Sequence, residues 1–210
     1  RIFGERAENI ELAIAAYNQA LEVRTLSAFP VNWAMTQNNL GTAYGDRIFG
    51  ERAENIELAI AAYNQALEVT TLSAFPVNWA TVQNNLGTAY GNRIRGERAE
   101  NIELAIAAYN QALEVTTLSA FPQNHAETLL NFGSLYQDEN QFDLAYDKFV
   151  AAIETVEALR VEIVSGEEAK RKQAEEWNQL YRRMVEVCLA LAKDTEAIEY
   201  IERSKTRNLV

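Results

Sequence analysis

One period governs this chain. The decapeptide Arg1-Ile2-Phe3-Gly4-Glu5-Arg6-Ala7-Glu8-Asn9-Ile10 returns unchanged from Arg47, and again from Arg93 with Arg95 in place of the phenylalanine. The spacing is 46 residues, and residues 1–46 and 47–92 differ only at Arg24/Thr70, Met35/Thr81, Thr36/Val82 and Asp46/Asn92. The third copy follows closely to Pro122 and then diverges. A unit this short cannot close a core alone, so neighbouring copies must stack and share one.

Each copy reads as two helices. Asn55 offers an N-cap, with Glu57 in the first turn. Ile56, Ala59, Ile60, Tyr63, Ala66 and Leu67 then recur at three- and four-residue spacings, the apolar stripe of a helix expected to run to about Leu72. Phe75-Pro76 breaks it, and Pro76 suits the first turn of the next helix, where a missing N–H costs nothing. That helix carries Trp79, Val82, Leu86, Gly87 and Tyr90. Gly50 and Gly96 are expected to close helices as C-terminal glycine caps. Over the whole chain the pattern predicts nine helices, at 8–27, 31–47, 54–73, 77–93, 100–119, 123–137, 141–163, 167–192 and 195–209.

Composition narrows the function. With 48% apolar residues the chain can bury a sizeable core, and one His and one Cys leave no disulfide framework, no Cys-rich zinc site and no multi-histidine metal site. No apolar run is long enough to span a membrane. The net charge of −11 is spread along the chain, where a nucleic-acid binder would carry a basic patch. Thiol usage fits a reducing, cytoplasmic setting. The chain starts in mid-pattern and without Met, which reads as a cut inside a larger protein.

Leu86-Gly87-x-x-Tyr90 followed by Ala105-x-x-x-Tyr109-x-x-Ala112 resembles the tetratricopeptide repeat (TPR). Glycine and alanine let antiparallel helices approach closely, and aromatics fill the gaps between pairs. The period exceeds the family's usual length of about 34 residues through both helix connections. Tyr90 to Ala105 spans 15 residues, whereas Tyr136 to Ala145 in the next unit spans nine. The sequence leaves open whether the extra residues lengthen helices or form loops. A weaker last unit reads Met184, Val185, Cys188, then Ala197, Ile201 and Ser204. The resemblance implies an all-α, right-handed solenoid of antiparallel pairs over 1–210: a half-repeat 1–29, repeats 30–75, 76–121 and 122–165, and a weaker repeat 166–210. The Arg-Ile-x-Gly-Glu-Arg-Ala-Glu-Asn-Ile-Glu and Phe-Pro-x-Asn-Trp-Ala signatures are similar to the long TPRs of cyanobacteria, which often precede a caspase-like CHAT domain. That resemblance implies an effector domain beyond Val210.

Candidate chemistry is sparse. His125 occupies the aromatic slot of Trp33 and Trp79, and Cys188 the slot of Tyr44, Tyr90 and Tyr136, so both read as packing residues on different repeats. Glu167/Glu168 and Glu175/Glu176 read as a solvated face, and Lys170-Arg171-Lys172 as salt-bridge partners within a helix. The glycines lack phosphate-loop spacing. No cofactor, metal site or catalytic residue is expected.

The Asn ladder stands apart. Asn39, Asn85 and Asn131 precede the Leu-Gly or Phe-Gly of three repeats, with Asn38 and Asn84 beside them. Asparagine is a mediocre helix former, so its recurrence in helix interiors needs a reason. Its amide both donates and accepts, and could hold the backbone of an extended peptide in a concave groove, as the TPR resemblance implies. Equally, it could bond between helices and set the repeat register. Thr42, Thr88 and Ser134 lie one turn on, with Arg182, Arg183 and Glu186 at the far end. Asn38 and Asn84 stand where the chaperone-tail clamp of the family carries lysine, so a chaperone tail is not the expected ligand. The expected function is binding of a protein or peptide ligand to regulate the downstream effector, without nucleic acid or membrane. The alternative is a scaffold or self-associating solenoid.

Overall fold

The computed structural model describes residues 2–162 and 177–205. Among them are nine α-helices and no strand: α1 Ile2–Val23, α2 Pro30–Asp46, α3 Arg52–Leu67, α4 Pro76–Gly91, α5 Arg98–Val115, α6 Pro122–Asp138, α7 Phe142–Glu162, α8 Asn178–Ala190 and α9 Asp194–Lys205. The charged run 167–176 and the chain's last five residues lie outside the described residues. The chain divides into two compact units, 1–115 and 116–210. Within each unit, helices adjacent in sequence pack against one another in a solenoid-like succession.

The helix starts follow the proline signal. Phe29, Phe75 and Phe121 hold the same non-helical conformation, φ near −140° and ψ 64°, and each is followed by proline in the first turn. The ends correct the expectation. Helix α3 stops at Leu67, not near Leu72. The β-branched run Val69-Thr70-Thr71 follows, and the buried Thr70 returns its hydroxyl to the Ala66 carbonyl at 2.8 Å. Thr71 then builds a turn, accepting from the Ala74 N–H at 3.3 Å. Thr25 and Thr117 make the same turn in the other copies. The added length is therefore loop, not helix.

A second correction concerns Asn55. The helix begins three residues earlier, and no side chain caps it. Asn55 is 2% exposed and donates to the Phe49 carbonyl at 2.9 Å, and Asn101 donates to Arg95 in the same way. These amides brace the loop that enters each helix. Gly50 and Gly96 lie in that loop with φ +81°, just ahead of the next helix and not at the end of the last. Their left-handed backbone is the one glycine adopts without strain. Bidentate ion pairs fasten the same loops across the stack: Arg47 to Glu11 at 2.7 and 2.8 Å, and Arg93 to Glu57 at 2.8 and 2.9 Å.

Glycine and tyrosine set the helix spacing. A Cβ at Gly41 would stand 2.6 Å from the Tyr63 ring, and one at Gly87 would stand 2.7 Å from the Tyr109 ring. In the second unit, Gly133 meets Phe149 in the same way. Around Tyr63 the first unit gathers Ala34, Ile56, Ala59, Ala66, Val82 and Leu86. Small residues bring the backbones together, and the rings fill what remains.

The second unit uses tighter turns. After α6, the N–H groups of Asn140 and Gln141 return to the carbonyls of Gln137 and Tyr136, with Asn140 at φ 58°. After α8, Ala192 and Lys193 repeat the arrangement. Both are Schellman closures. Glu157 accepts from Tyr181 and from Nε and Nη2 of Arg203, tying α7 to α8 and α9.

Two predictions follow from these contacts. Gly87→Ala should cost about 1–3 kcal/mol in denaturant unfolding, because the Tyr109 ring is buried and cannot swing clear. Gly45→Ala, with nothing within 4 Å, should instead be neutral or gain up to about 1 kcal/mol. Equal effects would refute the spacing role. For the ion pair, the Arg93 guanidinium holds the Glu57 carboxyl below its ordinary pKa of 4.5. Its stabilisation is complete above that value and lost as pH falls through the folded-state pKa. Glu57→Gln should therefore cost about 0.5–1 kcal/mol at neutral pH and nothing in strong acid. A deficit that persists in acid would exclude this origin.

Candidate functional site

Each ladder asparagine lies nine residues after the proline that opens its helix, at positions 39, 85 and 131. The proline fixes the first turn, so the periodic sequence gives the amides equivalent positions in α2, α4 and α6. Their surroundings are not equivalent. Asn39 is exposed, and Asn85 and Asn131 are half-buried. In the first unit, Asn85 Nδ2 donates to Asn38 Oδ1 at 3.0 Å, joining α4 to α2. Asn84 is buried, at 6% exposure. One rung is thus spent between helices, while Asn39 presents its amide outward. Asn131 belongs to the second unit.

The hydroxyls of the next turn hold the packing. Thr42 Oγ1 lies 3.2 Å from Tyr63 Oη and donates to the Asn38 carbonyl at 3.3 Å. Thr88 repeats this with Tyr109 at 3.1 Å and Asn84. Ser134 donates to the Leu130 carbonyl at 2.7 Å. Burial pushes the Tyr63 phenol up to about 12, so it stays a neutral hydrogen-bonding group. At the far end, Arg182 is exposed. Arg183 donates to Gln137 Oε1 at 2.9 Å and lies 3.6 Å from Asp138, while Gln137 donates to Glu186 at 2.9 Å. Arg183 and Glu186 therefore fasten α8 to the end of α6.

His125 and Cys188 sit on α6 and α8 in structural settings. His125 Nδ1 lies 2.6 Å from the Thr116 carbonyl, which can only accept, so this nitrogen carries the proton. Cys188 is wholly buried, and burial pushes its thiol above the ordinary pKa, away from the nucleophilic thiolate. Among the described residues no group of three or more His, Cys, Asp or Glu side chains could hold a metal ion, and no helix is long and apolar enough to cross a membrane.

A hollow of about 190 Å³ opens between α2 and α4, lined by Met35, Asn38, Asn39, Thr70, Thr81 and Val82 among others. Met35, half exposed, forms one wall. Reading the ladder alone missed Thr70, Thr81 and Val82. The signal that finds them is divergence between the copies. Of the four positions that differ, three (24/70, 35/81 and 36/82) supply residues to this wall. Arg24 donates to Thr36 at 3.3 Å in the first copy, and the second copy replaces both, with Thr70 and Val82. A second cleft, open and of about 550 Å³, lies between α1 and α2 and is lined in part by Asn9, Ala13, Tyr17, Asn39 and Thr42.

No protein-family model and no curated protein matches the chain. Among solved structures it is similar to BtubC (BKLC) from P. vanneervenii, with a TM-score of 0.57 and 17% identity, over 95% of this chain and 91% of that one. At that identity the likeness is one of fold, a helical repeat-like succession.

The Asn38–Asn85 bond makes a direct prediction. A double-mutant cycle with Asn38→Ala and Asn85→Ala should return a coupling of about 0.5–1.5 kcal/mol in chemical unfolding. A coupling indistinguishable from zero would remove the register role of this rung.

Proposed function

We propose that this chain is a protein-interaction module of tetratricopeptide type that holds a peptide segment of a partner protein against α2 and α4. The divergence between copies carries the reading. The glycine–tyrosine contacts, the loop-bracing asparagines and the ion-pair residues are the same in residues 1–46 and 47–92. The differences gather at a hollow beside two asparagines. Thr36, Thr70 and Val82 are each 2% exposed, so 24/70 and 36/82 are exchanges within the packing, whereas 35/81 changes the accessible wall, and a surface that reads a ligand gains from being different at each step. In this reading Asn38 and Asn39 meet the peptide backbone, and Met35 and Thr81 receive one of its side chains.

The distinctive signatures of the long repeats support placing the module in a larger, cytoplasmic protein of the CHAT-associated kind, upstream of a caspase-like effector that it restrains. A ligand that favours one conformation of the array would shift that restraint. The charge of −11 disfavours nucleic acid or an anionic membrane as partner.

Panning a displayed random-peptide library against the chain tests the reading. Enriched peptides should lose about tenfold or more in affinity for the variant carrying Asn38→Ala, Asn39→Ala and Met35→Glu. Peptides that bind this variant equally well, or no enrichment at all, would sink the proposal. Concentration-dependent assembly in sedimentation would favour the scaffold alternative.

A further inference from the structure

The accessible faces of α2 and α4 are almost free of charge, in a chain of which 23% is charged. Helix α4 has no charged residue, and α2 has only Asp46 at its last position. Between Pro30 and Asp46 the exposed residues of α2 are Asn32, Met35, Asn39 and Thr42, which fall on one stripe. Their equivalents one repeat later, on α4, are asparagine and threonine throughout. Helix α3, between them in sequence, carries Arg52, Glu54 and Glu57.

A helix face turned to water ordinarily carries charge. Asparagine and threonine are also poorer helix formers than glutamate or lysine. Neither solvation nor helix propensity explains the choice. Amides and hydroxyls offer donors and acceptors without net charge.

The hollow between α2 and α4 has the same character. Its walls all come from the first unit, and α3 packs against both helices, so the face is not an end of the stack. Its apolar lining is Ala34, Met35 and Val82, and among the described residues no charged side chain lines it. Asn39 and Asn78 stand at its edge without a hydrogen-bond partner among the described residues. Its volume of about 190 Å³ exceeds the ~150 Å³ that holds benzene, so one side chain the size of leucine, methionine or phenylalanine fits. A charged group placed there would lose water and meet no counter-charge. An extended backbone has free N–H and C=O groups for the two amides, whereas a helix has already spent its own.

We propose that this face selects an extended peptide segment without charged side chains. One aliphatic or aromatic side chain anchors it in the hollow, and Asn39 and Asn78 hold its backbone. The inference rests on the peptide reading above and adds the ligand's chemistry to it.

The probes are the peptides that the library enriches, synthesised singly and titrated with the full chain. They should share one leucine, isoleucine, methionine or phenylalanine with no charged residue beside it. Their affinity should change less than about twofold between ~50 and ~500 mM NaCl, a range over which exposed charge pairs are screened. Thr81→Glu and Thr81→Lys should each weaken binding about tenfold, because either charge is buried by a neutral ligand. Asn39→Asp and Asn39→Lys, at an exposed position, supply a second pair if the first lowers the thermal midpoint. Peptides that weaken about tenfold across the salt range overturn the inference. So does a pair of variants in which one charge weakens binding and the other strengthens it. Both results leave the peptide reading standing, provided the triple variant still loses affinity. A library that enriches nothing, or peptides indifferent to every variant, removes both.

Discussion

The contact of a glycine backbone with an aromatic ring is the constraint on which this structure depends. Gly41 on Tyr63, Gly87 on Tyr109 and Gly133 on Phe149 each bring two helices closer than a side chain would allow. Once that distance is fixed, the alanines beside it are buried and the tyrosine hydroxyl falls within reach of Thr42 or Thr88. The phenol stays neutral because it is buried, so the polar tip of a core residue is satisfied by a neighbour on the next helix. The rest of each pair is arranged around this point.

Polar side chains are spent on the same geometry. Asn55 and Asn101 hold loops, Arg47 and Arg93 grip glutamates of the preceding helix, and Thr70 terminates α3. Among the described residues no buried side-chain nitrogen or oxygen lacks a partner. That full use is why Asn39 and the divergent Met35 near it stand out. Asn39 is exposed and Met35 half exposed, whereas the divergent Thr36, Thr70 and Val82 are buried in the packing.

The fold was legible in the sequence because both its signals are local. The three- and four-residue apolar spacing marks the helices, and the Phe-Pro dipeptide marks where the second helix of each copy begins. The misreadings were also local. Asn55 has the composition of an N-cap, but the backbone turns helical earlier and the amide is used for the loop behind it. Leu72 continues an apolar pattern, but Val69-Thr70-Thr71 offers the backbone a turn that burial of Thr70 makes favourable. The candidate site was half legible. The asparagine register shows in the repeat, but only the neighbouring helix reveals that Asn85 is bonded and Asn39 is not buried. The hollow's other walls come from a loop and a helix a full repeat away.

Periodicity by itself determined that this chain is a succession of helix pairs, since a 46-residue unit with one apolar stripe per helix can be buried only by its own neighbours. It did not determine local conformation everywhere. The tetrapeptide Ile-Phe-Gly-Glu is helical at residues 2–5 and forms a loop at 48–51, with the same residues following it in both copies. In the second copy α2 leads into the segment, Arg47 is held by Glu11, and Gly50 takes a left-handed backbone while Asn55 holds the Phe49 carbonyl. In the first copy the segment is the first turn of α1, and Asn9 is exposed. The difference lies in which neighbours complete the hydrogen bonds and burial, and that is a property of the stack.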